Sequence, residues 1–206
     1  MFQEQWRSKK PAVIAEEIKK EALDIFEEFK HFTTGYRVLF LLQRHKEGGE
    51  TNNSKLKKIV TRTPKEYLDA LHTLLKDFYE SPLPLRIYAA VNERNMKKAI
   101  HKFRVEQLDA ENYGEEQYHE FYLDIRNRFI GCLMQPGQKA TSYFLFDIDL
   151  QDDAPFLQVL PDEVKIIKKY KTKKGWHIIT EPFNYTSIQL PTDVDMKKDG
   201  LLLLKW

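Results

Sequence analysis

One cysteine, Cys132, is present among the 206 residues of the chain. A single thiol excludes a disulfide framework within the chain and a cysteine-rich zinc cluster. Because Cys132 lies in the apolar stretch RFIGCLM, which is typical of a helix, we expect a buried thiol. No apolar run approaches the roughly 20 residues that span a bilayer, and the charged N-terminal stretch has no apolar core of a secretory signal. We therefore expect a cytoplasmic protein without a membrane partner.

Net charge is also low, at +2, so total charge says little about partners. The hydrophobic content of 42% and aromatic content of 13% are typical of a globular chain. No repeat, low-complexity tract or clear linker divides the sequence. We predict one domain over 1–206, with an N-terminal α/β subregion over 1–84 and a motif-bearing subregion over 85–206.

Hydrophobic periodicity predicts an α+β fold. In the earlier part, the predicted elements are a helix over 11–32, a strand from Tyr36 into a polar loop, a strand over 56–63 that forms a hairpin with it, a helix capped by Thr63, Pro64 and Glu66, a strand over 85–91, and helices over 93–110 and 115–134. The last helix is expected to carry one face of Tyr118, Phe121, Tyr122, Ile125, Phe129 and Leu133. The later part predicts strands in SYFLFDIDL, VKIIKKY, GWHIITE, YTSIQL and GLLLLKW.

Two aspartates, Asp147 and Asp149, share one face of the apolar strand SYFLFDIDL, because residues i and i+2 of a strand point the same way. Neighbouring carboxylates repel each other, so their pairing needs a solvated strand end or a divalent cation between them. Successive same-face positions are about 6.6 Å apart, and carboxylates at this spacing can converge on one ion or bridge two. Magnesium and manganese favour such oxygen ligands.

A lysine-rich segment leads into the strand GWHIITE, which carries His177. A histidine among apolar strand residues is usually structural. The preceding lysines form a solvated face or a phosphate-binding surface; they are Lys165, Lys168, Lys169, Lys171, Lys173 and Lys174. Further along, TDVDMKKDG supplies three more carboxylates, Asp193, Asp195 and Asp199, in a polar turn or as a third metal ligand.

In this order, the three segments resemble the motifs of the archaeo-eukaryotic primase, or primase-polymerase, superfamily. Phe146-Asp147-Ile148-Asp149 resembles its hydrophobic-Asp-hydrophobic-Asp motif, and Gly175-Trp176-His177 resembles its small-x-His motif. Val194-Asp195 is the best match to the third, hydrophobic-Asp motif, with Asp193 and Asp199 as alternatives. The stretch RIYAAVNERN is similar to the strand that precedes the first motif. The resemblance extends over about 85–206.

The resemblance implies a catalytic core with an antiparallel RRM-like sheet that carries the active site. It implies template-directed nucleotidyl transfer, as DNA primase or DNA polymerase, in the replication of a phage, plasmid or mobile element. Asp147, Asp149 and Asp195 would bind two Mg²⁺ or Mn²⁺ ions. His177 and Gly175, with Lys171, Lys173 and Lys174, would bind the nucleotide. The single cysteine cannot supply the zinc-binding element that many primases carry, so we expect no zinc.

The implied partners are single-stranded or primer-template DNA, an NTP or dNTP, and a helicase or other replication protein. Basic residues on the earlier strands are candidates for template binding, although each is more simply surface charge; they are Arg44, His45, Lys46 and Arg62.

Three other functions compete with this interpretation. A polymerase-beta-like transferase needs a helix opened by Gly-Ser or Gly-Gly before its Asp-x-Asp, and PGQKATSY leaves no room for one. A 2H phosphoesterase needs two His-x-Thr motifs, of which only HFT at 31–33 is present. The remaining alternative is a non-catalytic nucleic-acid-binding accessory protein that uses the lysine-rich hairpin.

Overall fold

A computed structural model describes residues 11–43 and 54–206. They form an α+β structure with two four-stranded antiparallel sheets and six α-helices among the described residues. No helix in these ranges is long and apolar enough to cross a membrane. Contacts divide the chain into two compact units. The first contains the described residues up to 89 together with 93–140 and 203–206, and the second contains 90–92 and 141–202.

The first sheet has the strand order β2-β1-β3-β8. Its strands are β1 (Arg37–Gln43), β2 (Ser54–Thr61), β3 (Leu85–Ala90) and β8 (Leu201–Lys205). The helices of the same part of the chain are α1 (Pro11–Glu28), α2 (Pro64–Glu80), α3 (Met96–Asn112), α4 (Glu115–Leu123) and α5 (Ile125–Leu133). The predicted β1–β2 hairpin is confirmed by their antiparallel pairing. The predicted start of α2 is also confirmed, because Thr63 Oγ1 accepts a hydrogen bond from Glu66 N at 3.2 Å, as a capping residue does.

Helix α3 begins later than predicted, at Met96, because the Asn95 side chain caps it by accepting from Lys98 N at 3.0 Å. The single helix predicted over 115–134 is wrong. Asp124 leaves the helical region at φ −123°, and α5 begins directly after it. The Asp124 side chain makes no capping hydrogen bond to the backbone of α5; its Oδ1 accepts instead from the side chain of Asn127 at 2.6 Å. Cys132 is buried, as predicted, and its burial, together with a hydrogen bond to Glu106, raises its pKa to about 12.

The second sheet has the order β5-β6-β4-β7, formed by β4 (Phe144–Ile148), β5 (Ile166–Lys171), β6 (Trp176–Thr180) and β7 (Val194–Lys197), with the short helix α6 (Ala154–Leu157) after β4. One face of this sheet carries the core of the second unit. That core contains Phe144, Phe146, Ile148, Phe156, Ile178 and Val194.

The strand predicted in YTSIQL is wrong. Tyr185–Ser187 forms a 3-10 turn, in which the Asn184 side chain accepts from Thr186 N at 3.3 Å and from its hydroxyl at 2.6 Å. Such local side-chain hydrogen bonds compete with strand pairing. Strand β7, Val194–Lys197, instead lies in TDVDMKKDG, a segment whose composition is also typical of a polar turn. Of the predicted motif-bearing subregion over 85–206, residues 85–89 and 93–140, with α3–α5, belong to the first unit, and residues 90–92 and 141–202 belong to the second.

Candidate functional site

A row of polar side chains crosses the second sheet on the face opposite its apolar core. The register aligns Tyr170 with His177, His177 with Asp147, and Asp147 with Asp195 across four adjacent strands. Residues directly opposite each other in antiparallel strands share a face and are close neighbours. The row therefore brings together Asp147, His177 and Asp195, three residues predicted from the sequence.

Asp147 is the central member of the row. Its Oδ1 lies 3.0 Å from His177 Nε2, and its Oδ2 accepts from Lys197 Nζ at 2.6 Å. The hydrogen bond from His177 and the charge of Lys197 hold the pKa of Asp147 well below its usual value, against the opposing effect of partial burial. Asp147 is thus a half-buried carboxylate that stays ionised because cationic and hydrogen-bonding partners surround it.

His177 is buried and uses both ring nitrogens. Nδ1 lies 2.7 Å from the Tyr170 hydroxyl, and Nε2 lies 3.0 Å from Asp147. Since ionised Asp147 only accepts, Nε2 donates to it; in the neutral ring Nδ1 then accepts from Tyr170. Tyr170 therefore fixes the ring and its tautomer. A phosphate contact by His177 requires one of these two hydrogen bonds to open.

Lys197 is a member of the site that the sequence interpretation missed. Its Nζ contacts Asp147 Oδ2 at 2.6 Å and Asp195 Oδ2 at 3.5 Å. Burial lowers the pKa of Lys197, but the hydrogen bond and charge of Asp147, together with Asp195, more than offset this and raise it. The available signal was its spacing of two residues from Asp195, which gives both the same face of a strand.

Three other aspartates differ in position. Asp149 follows β4, is exposed, and donates its backbone N–H to Asp193 O at 3.0 Å. This bond continues the β4–β7 register, so Asp149 and Asp193 form the next opposed pair after Asp147 and Asp195. Asp199 lies elsewhere, where its carboxylate accepts from the side chain of buried Asn92 at 3.5 Å. Asp195 is therefore the aspartate of its segment that contacts the central row.

Gly175 is explained by close packing of the backbone. A Cβ atom there would overlap the carbonyl oxygen of Ile148 and lie 2.8 Å from that of Leu150. Gly175 N also donates to Thr172 Oγ1 at 3.1 Å, and Gly175 O accepts from Thr172 N at 2.8 Å. The glycine therefore lets the β5–β6 hairpin approach the end of β4, which aligns His177 with Asp147.

The lysines predicted to bind nucleotide are not gathered around the row. Lys171 pairs with Trp176 in the register and lies on the opposite face from His177; its ammonium is 5.7 Å from the Trp176 ring. Lys173 and Lys174 are exposed in the hairpin turn, at the end of the sheet where β4 stops. Among the earlier basic residues, Arg62 stacks on Tyr36 at 5.6 Å. Arg44, His45 and Lys46 lie outside the described residues.

The carboxylates of the row offer oxygen ligands of the kind that a divalent ion prefers. Asp147 and Asp195 converge on one cation, the Lys197 ammonium. One or two carboxylates, completed by substrate phosphates and water, are a usual ligand set for Mg²⁺. Within 11–43 and 54–206, no group of three or more His, Cys, Asp or Glu side chains could hold a metal. The donor chemistry fits a divalent ion if Lys197 moves aside, and the metal site stays a prediction.

Comparison of the chain with protein-family profiles, curated proteins and solved structures gives no significant match. Functional inference for this chain therefore depends on the chemistry of its own residues, above all the row formed by Tyr170, His177, Asp147, Asp195 and Lys197.

Proposed function

We propose that the protein catalyses template-directed nucleotidyl transfer of the primase-polymerase type. The observation that carries this proposal is the alignment of Asp147, His177 and Asp195 in one row on adjacent strands. These residues come from three separate segments whose order along the chain resembles the motifs of that superfamily. A purely structural histidine and two unrelated surface aspartates have no need of this alignment.

The topology of the second sheet also supports the proposal. Numbered within the sheet, its strands have the order 2-3-1-4, and the short helix α6 lies between the first two in sequence. This arrangement is a split β-α-β unit, the plan of ferredoxin-like sheets. It is consistent with the RRM-like sheet that the resemblance implies.

Each residue of the row has a distinct part in the proposed reaction. Asp147 and Asp195 would hold magnesium or manganese, which, when bound, lowers the pKa of a 3′-hydroxyl and neutralises the triphosphate. Tyr170 orients His177, and His177 in turn orients the Asp147 carboxylate. Lys197 carries a positive charge beside both carboxylates, which suits it to the negative charge that develops on a reacting phosphate.

The test is incorporation of labelled nucleotides on single-stranded and primed DNA with Mg²⁺ or Mn²⁺. We expect Asp147→Asn to lower incorporation by about 10²–10³-fold or more. The matched control is Asp162→Asn, which removes an exposed carboxylate in a turn of the same unit. Equal activity of the wild type and Asp147→Asn would overturn the proposal. A lane without primer reports whether synthesis starts unaided.

A second candidate reaction is metal-dependent phosphodiester hydrolysis. The observation that favours it is Lys197, since a lysine bound to two carboxylates can stabilise the charge on a phosphate attacked by water. The same assay with end-labelled DNA separates the two reactions. Lengthening of the labelled strand supports transfer, whereas shortening without added nucleotide supports hydrolysis.

A non-catalytic accessory protein makes a different prediction. It would bind DNA in a salt-sensitive way that does not depend on divalent ions. Unchanged DNA binding in Asp147→Asn, together with the absence of any metal-dependent product from the folded wild type, would favour that function.

A further inference from the structure

The first unit contains a cavity of about 670 Å³ whose wall is rich in cationic side chains. None of its lining residues belongs to the row around Asp147, and all of them belong to the first unit. The basic and imidazole side chains of the wall are Arg94, Lys97, His101 and Arg104. A cavity of this volume lies within the range of about 300–1,000 Å³ that is usual for small-molecule sites.

The wall has an excess of positive charge. Arg94, Lys97 and Arg104 carry three positive charges and Glu93 carries one negative charge, so with His101 neutral the net charge is +2. The Glu93 side chain lies against Gly35, where a Cβ atom would overlap it. Lys97 and Arg104 are exposed, and the described part of the chain provides neither with an ion-pair partner. An anion entering the cavity therefore meets Lys97 and Arg104, which no carboxylate of the described residues neutralises.

Helical spacing places three of these side chains on the same side of α3. Lys97, His101 and Arg104 are separated by four and three residues, which makes them neighbours on one helix face. Lys98 and Lys102 of the same helix do not line the cavity, and Lys102 contacts Glu106 at 3.7 Å. The helix thus has one basic face that borders the cavity and other lysines that do not.

Apolar and aromatic side chains complete the wall. Tyr36, Met96 and Ile100 line it beside the cations, and the Arg62 guanidinium lies 5.6 Å from the centre of the Tyr36 ring. Flat rings and guanidinium groups are the surfaces on which nucleobases stack. The cavity therefore combines phosphate-binding charge with a surface suited to a planar base.

We propose that this cavity binds a nucleotide unit through its phosphate, either as a free nucleotide or as part of a single-stranded nucleic acid. Lys97 and Arg104 contact the phosphate, and Tyr36 contacts the base or sugar. This site goes beyond the proposed reaction centre, because binding here requires neither a divalent ion nor the carboxylates of the second unit.

The experiment measures binding of dTTP and of a short fluorescein-labelled oligothymidylate to the full chain in the presence of EDTA. The test variant is Lys97→Gln/Arg104→Gln. Its matched control, Lys98→Gln/Lys102→Gln, removes the same charge from the same helix outside the cavity. In a second background, Asp147→Asn/Asp195→Asn, the Lys97→Gln/Arg104→Gln change should weaken binding by the same factor as it does in the wild type, which separates this site from the proposed reaction centre.

For the oligomer, we expect about tenfold or greater weakening in the test variant and little change in the control. The slope of log K against log salt should fall by about 1.4, because each lost contact to a single-strand phosphate lowers it by about 0.7. Selective weakening of dTTP binding would identify a free nucleotide as the ligand, and selective weakening of the oligomer alone would identify a strand. Equal weakening in test and control variants, or binding of neither probe by the wild type, would overturn the proposal.

Discussion

The two four-stranded sheets differ in how their central strands are covered. In β1, every residue from Arg37 to Leu42 is buried, so both faces of that strand are excluded from solvent. In β4, four of the five residues are buried, and the exception is Asp147. A continuous apolar run is typical of a strand covered on both faces. One interruption of such a run by a half-buried carboxylate therefore marks where the second sheet differs from the first.

The two faces of β4 therefore have different roles: one packs in the core and the other carries the polar side chains of the row. Phe146 lies in the apolar core of the second unit, whereas its neighbour Asp147 points to the other face and bonds to His177 and Lys197. Buried charges require partners, and Asp147 has them on both sides. A strand with one paired carboxylate among buried apolar residues therefore carries a reactive group with little loss of packing.

The largest effect should follow from removing an aromatic ring on the core face. Phe146 is fully buried and its ring lies 4.6 Å from that of Phe156. We expect Phe146→Ala to lower the free energy of unfolding by about 3–5 kcal/mol, because it leaves a cavity. Chemical denaturation followed by circular dichroism measures this. A loss below about 1 kcal/mol would show that this face of the sheet is not a tightly packed core.

The next largest loss of stability should follow from a substitution at Gly175, where two backbone segments approach each other closely. Gly175→Ala should destabilise the protein by about 1–3 kcal/mol, since the added Cβ meets backbone oxygens that cannot move alone. Gly131 is the matched control: it lies in α5 with no atom within 4 Å of an added Cβ. Gly131→Ala should instead stabilise by about 0.5–1 kcal/mol, as alanine favours a helix. Opposite signs are the test, and destabilisation by both changes would contradict it.

Local patterns in the sequence predict much of the fold. The β1–β2 hairpin, the cap at Thr63 and the strands around Phe146 and His177 follow from alternation and capping residues alone. The break at Asp124 does not, because the apolar positions on both sides of it continue one helical period. The strand at Val194–Lys197 was obscured by the polar residues around it, and it becomes a strand through pairing with β4.

The candidate site is predictable in its residues but not in its contacts. Asp147, His177 and Asp195 stand out by residue type, yet His177 and Asp195 are 30 or more positions from Asp147 along the chain. Only the strand order aligns them. Tyr170 and Lys197 were missed because a tyrosine or lysine on a polar strand is ordinary until its cross-strand neighbours are known. Lys171 stood out from the sequence but lies outside the row. It follows Tyr170 by one residue, and one step along a strand places a side chain on the opposite face.

The pH dependence of stability should distinguish the polar face from the core. A pKa below the usual value means that folded Asp147 binds its proton more weakly than in the unfolded chain. Its contribution is therefore complete above the ordinary aspartate pKa of about 3.9 and is lost as pH falls below it. At neutral pH we expect Asp147→Asn to lose about 1–2 kcal/mol, a value reduced by solvent screening.

Urea titrations of both proteins from neutral to acidic pH measure this difference. The gap between wild type and Asp147→Asn should close as the solution is acidified below about pH 4. The groups that face Asp147 are His177, Lys197 and Asp195, and all are retained in the variant. If the difference in free energy of unfolding stayed constant down to the acid transition, the partners of Asp147 would not lower its pKa.

The smallest effect should come from the outer end of the row. Tyr170→Phe removes the hydroxyl that lies 2.7 Å from His177 Nδ1, and we expect a loss of about 0.5–1 kcal/mol. The more specific readout is nitrogen NMR of His177, because loss of this donor frees Nδ1 and changes its chemical shift. Tyr113→Phe, at a ring that is 75% exposed, is the control and should leave the His177 signals unchanged. Unchanged Nδ1 signals in Tyr170→Phe would show that Tyr170 does not hold the imidazole, and the aligned row would then end at His177.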